Sequence, residues 1–270
     1  MDDAVDIKKF ILNWCGDQKI TFVPNPGNIG DGLITLSTIQ ILKSLGIDYT
    51  IGKPWVKSKL QTKRVIYGGG GSIVPMYKIT KKFVLANQDK HEILILPQTI
   101  FGNDELLKNL NSNVTLFARE VKTFHYIKKN ARFKDMVYIS DDMAFNYKIK
   151  KQKSYKTPFK EINSFRVDCE QTNTKPPDDN IDLSFVNSLN SVDFANKMTE
   201  KNFIDEYVEK FETIVSSFTK INTNRLHVAI MGALYGREVN LYPNSYYKNK
   251  EVYEYSIKNK FSNVKFIVNS

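Results

Sequence analysis

Apolar residues recur along the first half of the chain in two rhythms. Short apolar runs, ITFVPN (20–25), YTIG (49–52), RVIYGG (64–69), EILILP (92–97), VTLFA (114–118) and MVYIS (136–140), are bounded by Pro, Gly, Asn or Asp, as buried strands are. Between the first two the spacing becomes helical: Ile34, Thr38, Ile41, Leu42 and Leu45 share one face, and Gly46 supplies a C-terminal stop. Strand, helix, strand in repetition predicts a parallel sheet with helices packed on it.

From Tyr147 to Phe159 the pattern lapses into Lys, Ser, Thr and Pro, the composition of a linker. Beyond it the apolar runs resume. INSFRVD (162–168) and IDLSFV (181–186) predict strands, with the Pro/Asp-rich loop NTKPPDDN (173–180) between them. An amphipathic helix carries Ile204, Tyr207, Val208, Phe211, Ile214 and Val215. A strand at 218–222, a helix opening near Asn224 and a strand VNLYP (239–243) follow. The fold class expected is α/β, with two Rossmann-like domains facing across a cleft: residues 1–147, a linker at 148–160, and a smaller unit at 161–270 whose last helix packs back on the first. Ligands of such folds sit at the carboxyl ends of strands.

Composition narrows the partners. The 270 residues carry 39 Lys and Arg against 29 Asp and Glu, a net charge of +10, which suits an anionic partner or simply a solvated basic surface. The lysines at 148, 150, 151, 153 and 156 lack the interleaved aromatics of a nucleic-acid module, so no nucleic acid is expected. Cys15 and Cys169 stand in no CxxC spacing, and HExxH and GxSxG are absent from the sequence. Zinc and serine hydrolase chemistry therefore have no support here. With no apolar run of spanning length, a cytoplasmic protein is expected, with at most a peripheral membrane contact.

Candidate chemistry stands after the strands. NPGNIGDGLI leads Asn25, Gly27, Asn28, Gly30 and Asp31 into a helix, offering N–H groups to an anion, or simply a tight turn capped by Asp31. The four glycines Gly68 to Gly71 leave bare backbone at the same sheet edge, where a ligand could approach closely. Gln98, Thr99, Arg119 and Glu120 follow the next two strands, and Arg166, Asp168 and Glu170 another. Arg119 has the planar fork for a carboxylate or phosphate, or could pair with Glu120. In NTNRLHVAIMGALYG, Arg225 and His227 stand at the start of an apolar helix, where a cation opposes the helix dipole unless an anion is close by; the alternative is a surface arginine and a core histidine.

In this order the motifs NIGDGLI (28–34), YGGGGSI (67–73), ILPQTI (95–100), LFARE (116–120), SDDMAF (140–145), FRVDCE (165–170), TNRLHVAIMGALYG (223–236) and NSYYKNKEVYE (244–254) resemble the polysaccharide pyruvyl transferases. The resemblance implies a fold like the two-domain GT-B glycosyltransferases. It also implies transfer of the enolpyruvyl group of phosphoenolpyruvate to a sugar, leaving a pyruvate ketal. RLH corresponds to the family's phosphoenolpyruvate motif and carries over onto Arg225 and His227; Arg119 of FARE is expected as a second ligand of that co-substrate and Arg166 as a third. His227 would act as proton donor and Asp31 as base. Asn28, Gly30, Gly69, Gly70, Gln98 and Lys248 are expected along the acceptor side of the cleft. The acceptor would be a lipid-linked or polymeric sugar, with no metal and no cofactor. Two other readings stay open: a nucleotide-sugar glycosyltransferase on the same architecture, and a non-catalytic carbohydrate-binding relative.

Overall fold

The structure, a computed structural model, describes residues 4–149, 159–173, 175–185 and 189–268. Its first half runs α1 (Ile7–Cys15), β1 (Ile20–Val23), α2 (Ile29–Ser44), β2 (Tyr49–Ile51), β3 (Arg64–Tyr67), β4 (Gly70–Ile73), α3 (Ile79–Asn87), β5 (Glu92–Ile100), α4 (Asp104–Lys108), β6 (Val114–Ala118), α5 (Val121–Asn130) and β7 (Val137–Ile139). These strands form one parallel sheet in the order β2-β1-β3-β5-β6-β7, with β4 beside the far end of β5. The chain steps one way from β1 to β2 and the other way from β3 to β7. Right-handed crossovers therefore put helices on both faces.

Burial follows from that topology. Ile20, Phe22, Ile66, Leu94 and Phe117 face a core shared with α1 and α2. Val23, Val65, Tyr67, Ile95 and Leu116 face a second core with α3, α4 and α5. Both faces are dry, so the strands read as nearly unbroken apolar runs.

The second half runs β8 (Phe159–Ser164), α6 (Ser191–Lys197), α7 (Phe203–Ser216), β9 (Phe218–Thr223), α8 (Leu226–Leu234), β10 (Glu238–Leu241), α9 (Lys248–Val252), a π-type turn, α10 (Lys258–Lys260) and β11 (Val264–Phe266). Its parallel sheet has the order β11-β10-β9-β8. Here every crossover steps in the same direction, and the same handedness places the crossover helices on one face only. Ile162, Ile221, Val239, Leu241 and Val264 are buried on that face. The opposite face carries Glu161, Asn163, Lys220, Asn222 and Asn240, joined by side-chain bonds from Asn222 to Asn163 (2.9 Å) and from Asn240 to Asn222 (2.8 Å).

The two halves share apolar contacts. α2 packs on α7 and α8, and one hydrophobic cluster runs from Phe22 and Leu33 through Tyr207, Val208 and Ile230 to Val264. Near the C-terminus, Ser256 donates to Asp141 at 2.7 Å and Phe261 stacks on Phe145. Among the described residues no helix is long and apolar enough to cross a membrane.

Several elements differ from the sequence expectation. β5 continues past Pro97 to Ile100, because the proline sits at a register shift and the strand changes neighbour there, from β3 at Ile95 to β4 at Gln98. The strand expected at 181–186 is a turn over its described residues, with Asp182 accepting from Val167 N and Ser184 N. β8 begins at Phe159, inside the expected linker, and ends at Ser164, so Arg166 lies beyond it. The rest of that linker falls mostly outside the described residues. β4, α6 and β11 have patterns too short to predict.

Candidate functional site

Strand ends of both sheets converge on a cavity of about 330 Å³. Asn25, Asn28 and Asp31 border it after β1, Gly71 and Ser72 in β4, and Arg119 after β6. From the second half come Arg166, Asp168, Glu170, Arg225, His227 and Lys248.

The β1–α2 loop is built around Asp31. Asn28 caps α2 by accepting from Gly30 N (2.9 Å), while Asp31 accepts from Asn28 N (3.1 Å) and from the Asn25 amide (3.0 Å). Asp31 is thus both a cap and a wall of the cavity. Burial pushes its carboxyl above the usual carboxylate range, against the pull of His227, the Asn25 amide, Arg119 and Asn28 N–H.

His227 stands in the first turn of α8, where its Nε2 lies 3.3 Å from Asp142 Oδ2. The same oxygen accepts from Arg119 Nη1 at 2.7 Å, and Arg119 Nε donates to Thr99 at 2.9 Å. Burial opposes ionisation of Asp142, yet His227, Arg119 and Ala144 N–H outweigh it and hold the carboxyl well below its ordinary range. Arg119 Nη2 has no hydrogen-bond partner among the described residues. Glu120 takes no part in this chain, because its side chain caps α5 by accepting from Thr123 N.

On the second side, Arg225 is the residue that caps α8. Its guanidinium donates to Asp182 through Nε (2.9 Å) and Nη2 (2.5 Å), and to Asp168 through Nη1 (2.8 Å). Arg166 holds Asp168 through two donors at 2.8 and 3.0 Å and meets Glu170 at 2.9 Å. The anion that offsets these cations near the dipole of α8 is therefore supplied by the chain itself. Burial works against both acids, but Arg166 and Arg225 keep Asp168 ionised well below the usual range, and Lys248 and Arg166 draw Glu170 down to about 2. Lys248 Nζ donates to Glu170 at 2.6 Å and lies over the Tyr246 ring. Burial, aided by Arg166 and Arg119 and resisted by Glu170, pushes the ammonium down to about 8.

The glycines divide by role. A Cβ on Gly30 would sit 2.4 Å from His227 Nδ1, so this glycine makes room for the imidazole. A Cβ on Gly68 or Gly69 would meet backbone, Asn25 N and Pro97 O, at 2.7 Å each. Gly70 has φ +127°, a conformation that side chains rarely allow. Only Gly71 of the four borders the cavity, where a Cβ would approach Arg119 Nη2 at 3.2 Å. Gln98 lies behind the wall, donating to Gly68 O (2.8 Å) and accepting from Ser72 N (3.2 Å).

Of the residues expected at the site, Asp31, Asn28, Arg119, Arg166, Arg225, His227 and Lys248 meet around one cavity. Gly30, Gly69, Gly70 and Gln98 do not line it, and serve the loops that do. Asp142 and Asp182 were missed. Asp142 lies in SDDMAF, directly after β7, and its position beyond a strand was the available signal. Asp182 was hidden inside an apolar run that resembles a strand.

The fold and site define an α/β protein with two parallel sheets whose strand ends enclose an arginine-rich, internally ion-paired cavity. The sequence model of the family named Polysaccharide pyruvyl transferase matches residues 28–246, and the chain belongs to that family, which is one of transferases. No curated protein matches the chain. Among solved structures it is similar to a functionally uncharacterised protein, KP1_0663 from Klebsiella pneumoniae subsp. pneumoniae NTUH-K2044. The two are 31% identical with a TM-score of 0.82 over 97% of each chain.

Proposed function

We propose that the protein transfers the enolpyruvyl group of phosphoenolpyruvate to a sugar of a polysaccharide or its precursor, closing a pyruvate ketal across two hydroxyls. The observation that carries this reading is the convergence of Arg119, Arg166, Arg225 and Lys248 on one cavity in a chain of this family. The co-substrate bears a carboxylate and a phosphate, and guanidinium forks suit both.

Binding proceeds by exchange. Arg119 offers Nη2, while of the acids on Arg166 and Arg225 the 20% exposed Asp168 is the one a ligand would displace, with Glu170 and Asp182 left in place. In the reaction a sugar hydroxyl bonds to C2 of phosphoenolpyruvate as a proton reaches C3. Phosphate then leaves with the C2–O electron pair, and the second hydroxyl closes the ketal. One hydroxyl proton replaces that delivered to the new methyl group, and the other departs with phosphate. In this reading His227, steadied by Asp142, delivers the proton. Asp31, whose carboxyl burial makes more basic, takes one from the sugar hydroxyl in the same reading.

Calorimetric titration with phosphoenolpyruvate and, separately, with uridine diphosphate tests the reading. Saturable binding of phosphoenolpyruvate is expected in the wild type and should be lost in Gly71→Val, which crowds Arg119 without breaking an ion pair. Binding of the nucleotide alone would assign the chain to nucleotide-sugar chemistry instead.

A further inference from the structure

Behind the first cavity, a second one of about 240 Å³ opens on the helix-free face of the second sheet, at the carboxyl ends of β8, β9 and β10. Its framework is Asn163, Phe165, Asn222, Asn224 and Tyr242, and Arg166 borders both cavities. Ligand pockets for drug-sized molecules run to roughly 300–1,000 Å³, so this one suits a smaller group.

Three observations fix its chemistry. Phe165 and Tyr242 form a tilted pair with ring centroids 5.1 Å apart, an aromatic wall bordering a polar floor. Asn224 is only 3% exposed, its Oδ1 accepts from Arg166 N at 2.7 Å, and its Nδ2 has no partner among the described residues. That donor opens onto the cavity, where a ligand oxygen can take it. Finally, among the described residues no carboxylate lines the cavity. Its two cations are already paired, Arg166 with Asp168 and Glu170, and Lys175 with Asp178 at 2.9 Å.

We infer that this second cavity is a binding subsite for a neutral sugar residue of a glycan chain. Asn163 and Asn222 give their amide N–H groups to Asp179 and Glu161, so the Asn224 donor and the remaining lone pairs on Asn163 and Asn222 Oδ1 are what meet hydroxyl groups, while aromatic faces match the C–H faces of a pyranose. Paired cations leave nothing to favour an anion. The inference goes beyond the reading of the first cavity and does not depend on phosphoenolpyruvate being its ligand.

The test is calorimetric titration of the full chain with maltotetraose, cellotetraose and β-1,4-galactotetraose, each with and without phosphoenolpyruvate. At least one should bind saturably at millimolar concentration, with phosphoenolpyruvate present or absent. Tyr242→Leu and, independently, Asn224→Asp should each weaken it roughly tenfold, the scale of an aromatic contact or a lost hydrogen bond. Thermal unfolding identifies a variant that does not fold, and the other then carries the test. Binding of none of the three, or binding that Gly71→Val abolishes while both variants keep it, overturns the subsite. Oligosaccharide binding sensitive to Tyr242 in a chain that ignores phosphoenolpyruvate would refute the reading of the first cavity and leave this one standing.

Discussion

The two parallel sheets obey the same hydrogen-bonding rules and differ in the direction the chain steps between strands. In the first, the step reverses and helices cover both faces. In the second it never reverses, and one face is left to asparagines and charged residues. The contrast extends to the strand ends. Asp142, beyond the doubly covered sheet, is fully buried, whereas Asp168, beyond the singly covered one, is partly open. Glu170 and Asp182 on the same side are buried, so Asp168 alone of these acids stands open to a competing ligand.

Removing each carboxylate in turn tests the contrast most severely. Asp142→Ala strands the buried Arg119 charge and should lower stability by about 3–5 kcal/mol in urea unfolding. Asp168→Asn should cost far less and bind phosphoenolpyruvate more tightly, by roughly tenfold, since the internal competitor is weakened. Equal losses would mean that neither pair is exchangeable.

Next come the faces themselves. Ile66→Ala and Ile95→Ala, on opposite faces of the first sheet, should each destabilise by about 2–5 kcal/mol. In the second sheet Ile221→Ala should do the same, while Asn240→Ala on the helix-free face should stay within about 1 kcal/mol. A large loss at Asn240 would show that this face is structural.

Gly30→Ala probes the meeting of the two halves, since the new methyl group displaces the His227 imidazole while suiting the helix. Turnover should fall by on the order of a hundredfold with a small change in unfolding temperature. An active variant would remove His227 from the chemistry.

The smallest effect is set by pH. With Lys248 near 8, phosphoenolpyruvate affinity should fall about tenfold between roughly pH 7 and 9 as the ammonium is lost, and Lys248→Met should flatten that profile. Stability moves the other way through the same group. Its folded pKa lies below the unfolded 10.5, so between the two values the unfolded chain holds more protons and this contribution improves as pH rises.

Much of the first sheet was legible because strands covered on both faces announce themselves as continuous apolar runs, and β6 matches its run from Val114 to Ala118. The second sheet was harder to read. Its strands alternate, and a buried-looking run such as IDLSFV can be a turn whose Asp faces inward. The cationic half of the site was visible as arginines and a histidine after strands. Its anionic half was only partly visible, because Asp142 and Asp182 acquire their partners from residues 23 and 43 positions away. Nor could a run of four glycines reveal that its members answer to a backbone nitrogen, a carbonyl, a dihedral angle and a guanidinium in turn.

The apolar seam where α2 meets α7 and α8 has a kinetic consequence. Swinging the sheets apart would expose Leu33, Val208 and Ile230 to water, so ligand exchange at the arginines needs side-chain movement and no separation of the sheets. Rapid-mixing traces for the first ligand should then follow one exponential, with a rate rising linearly with concentration, as for a door that stands open.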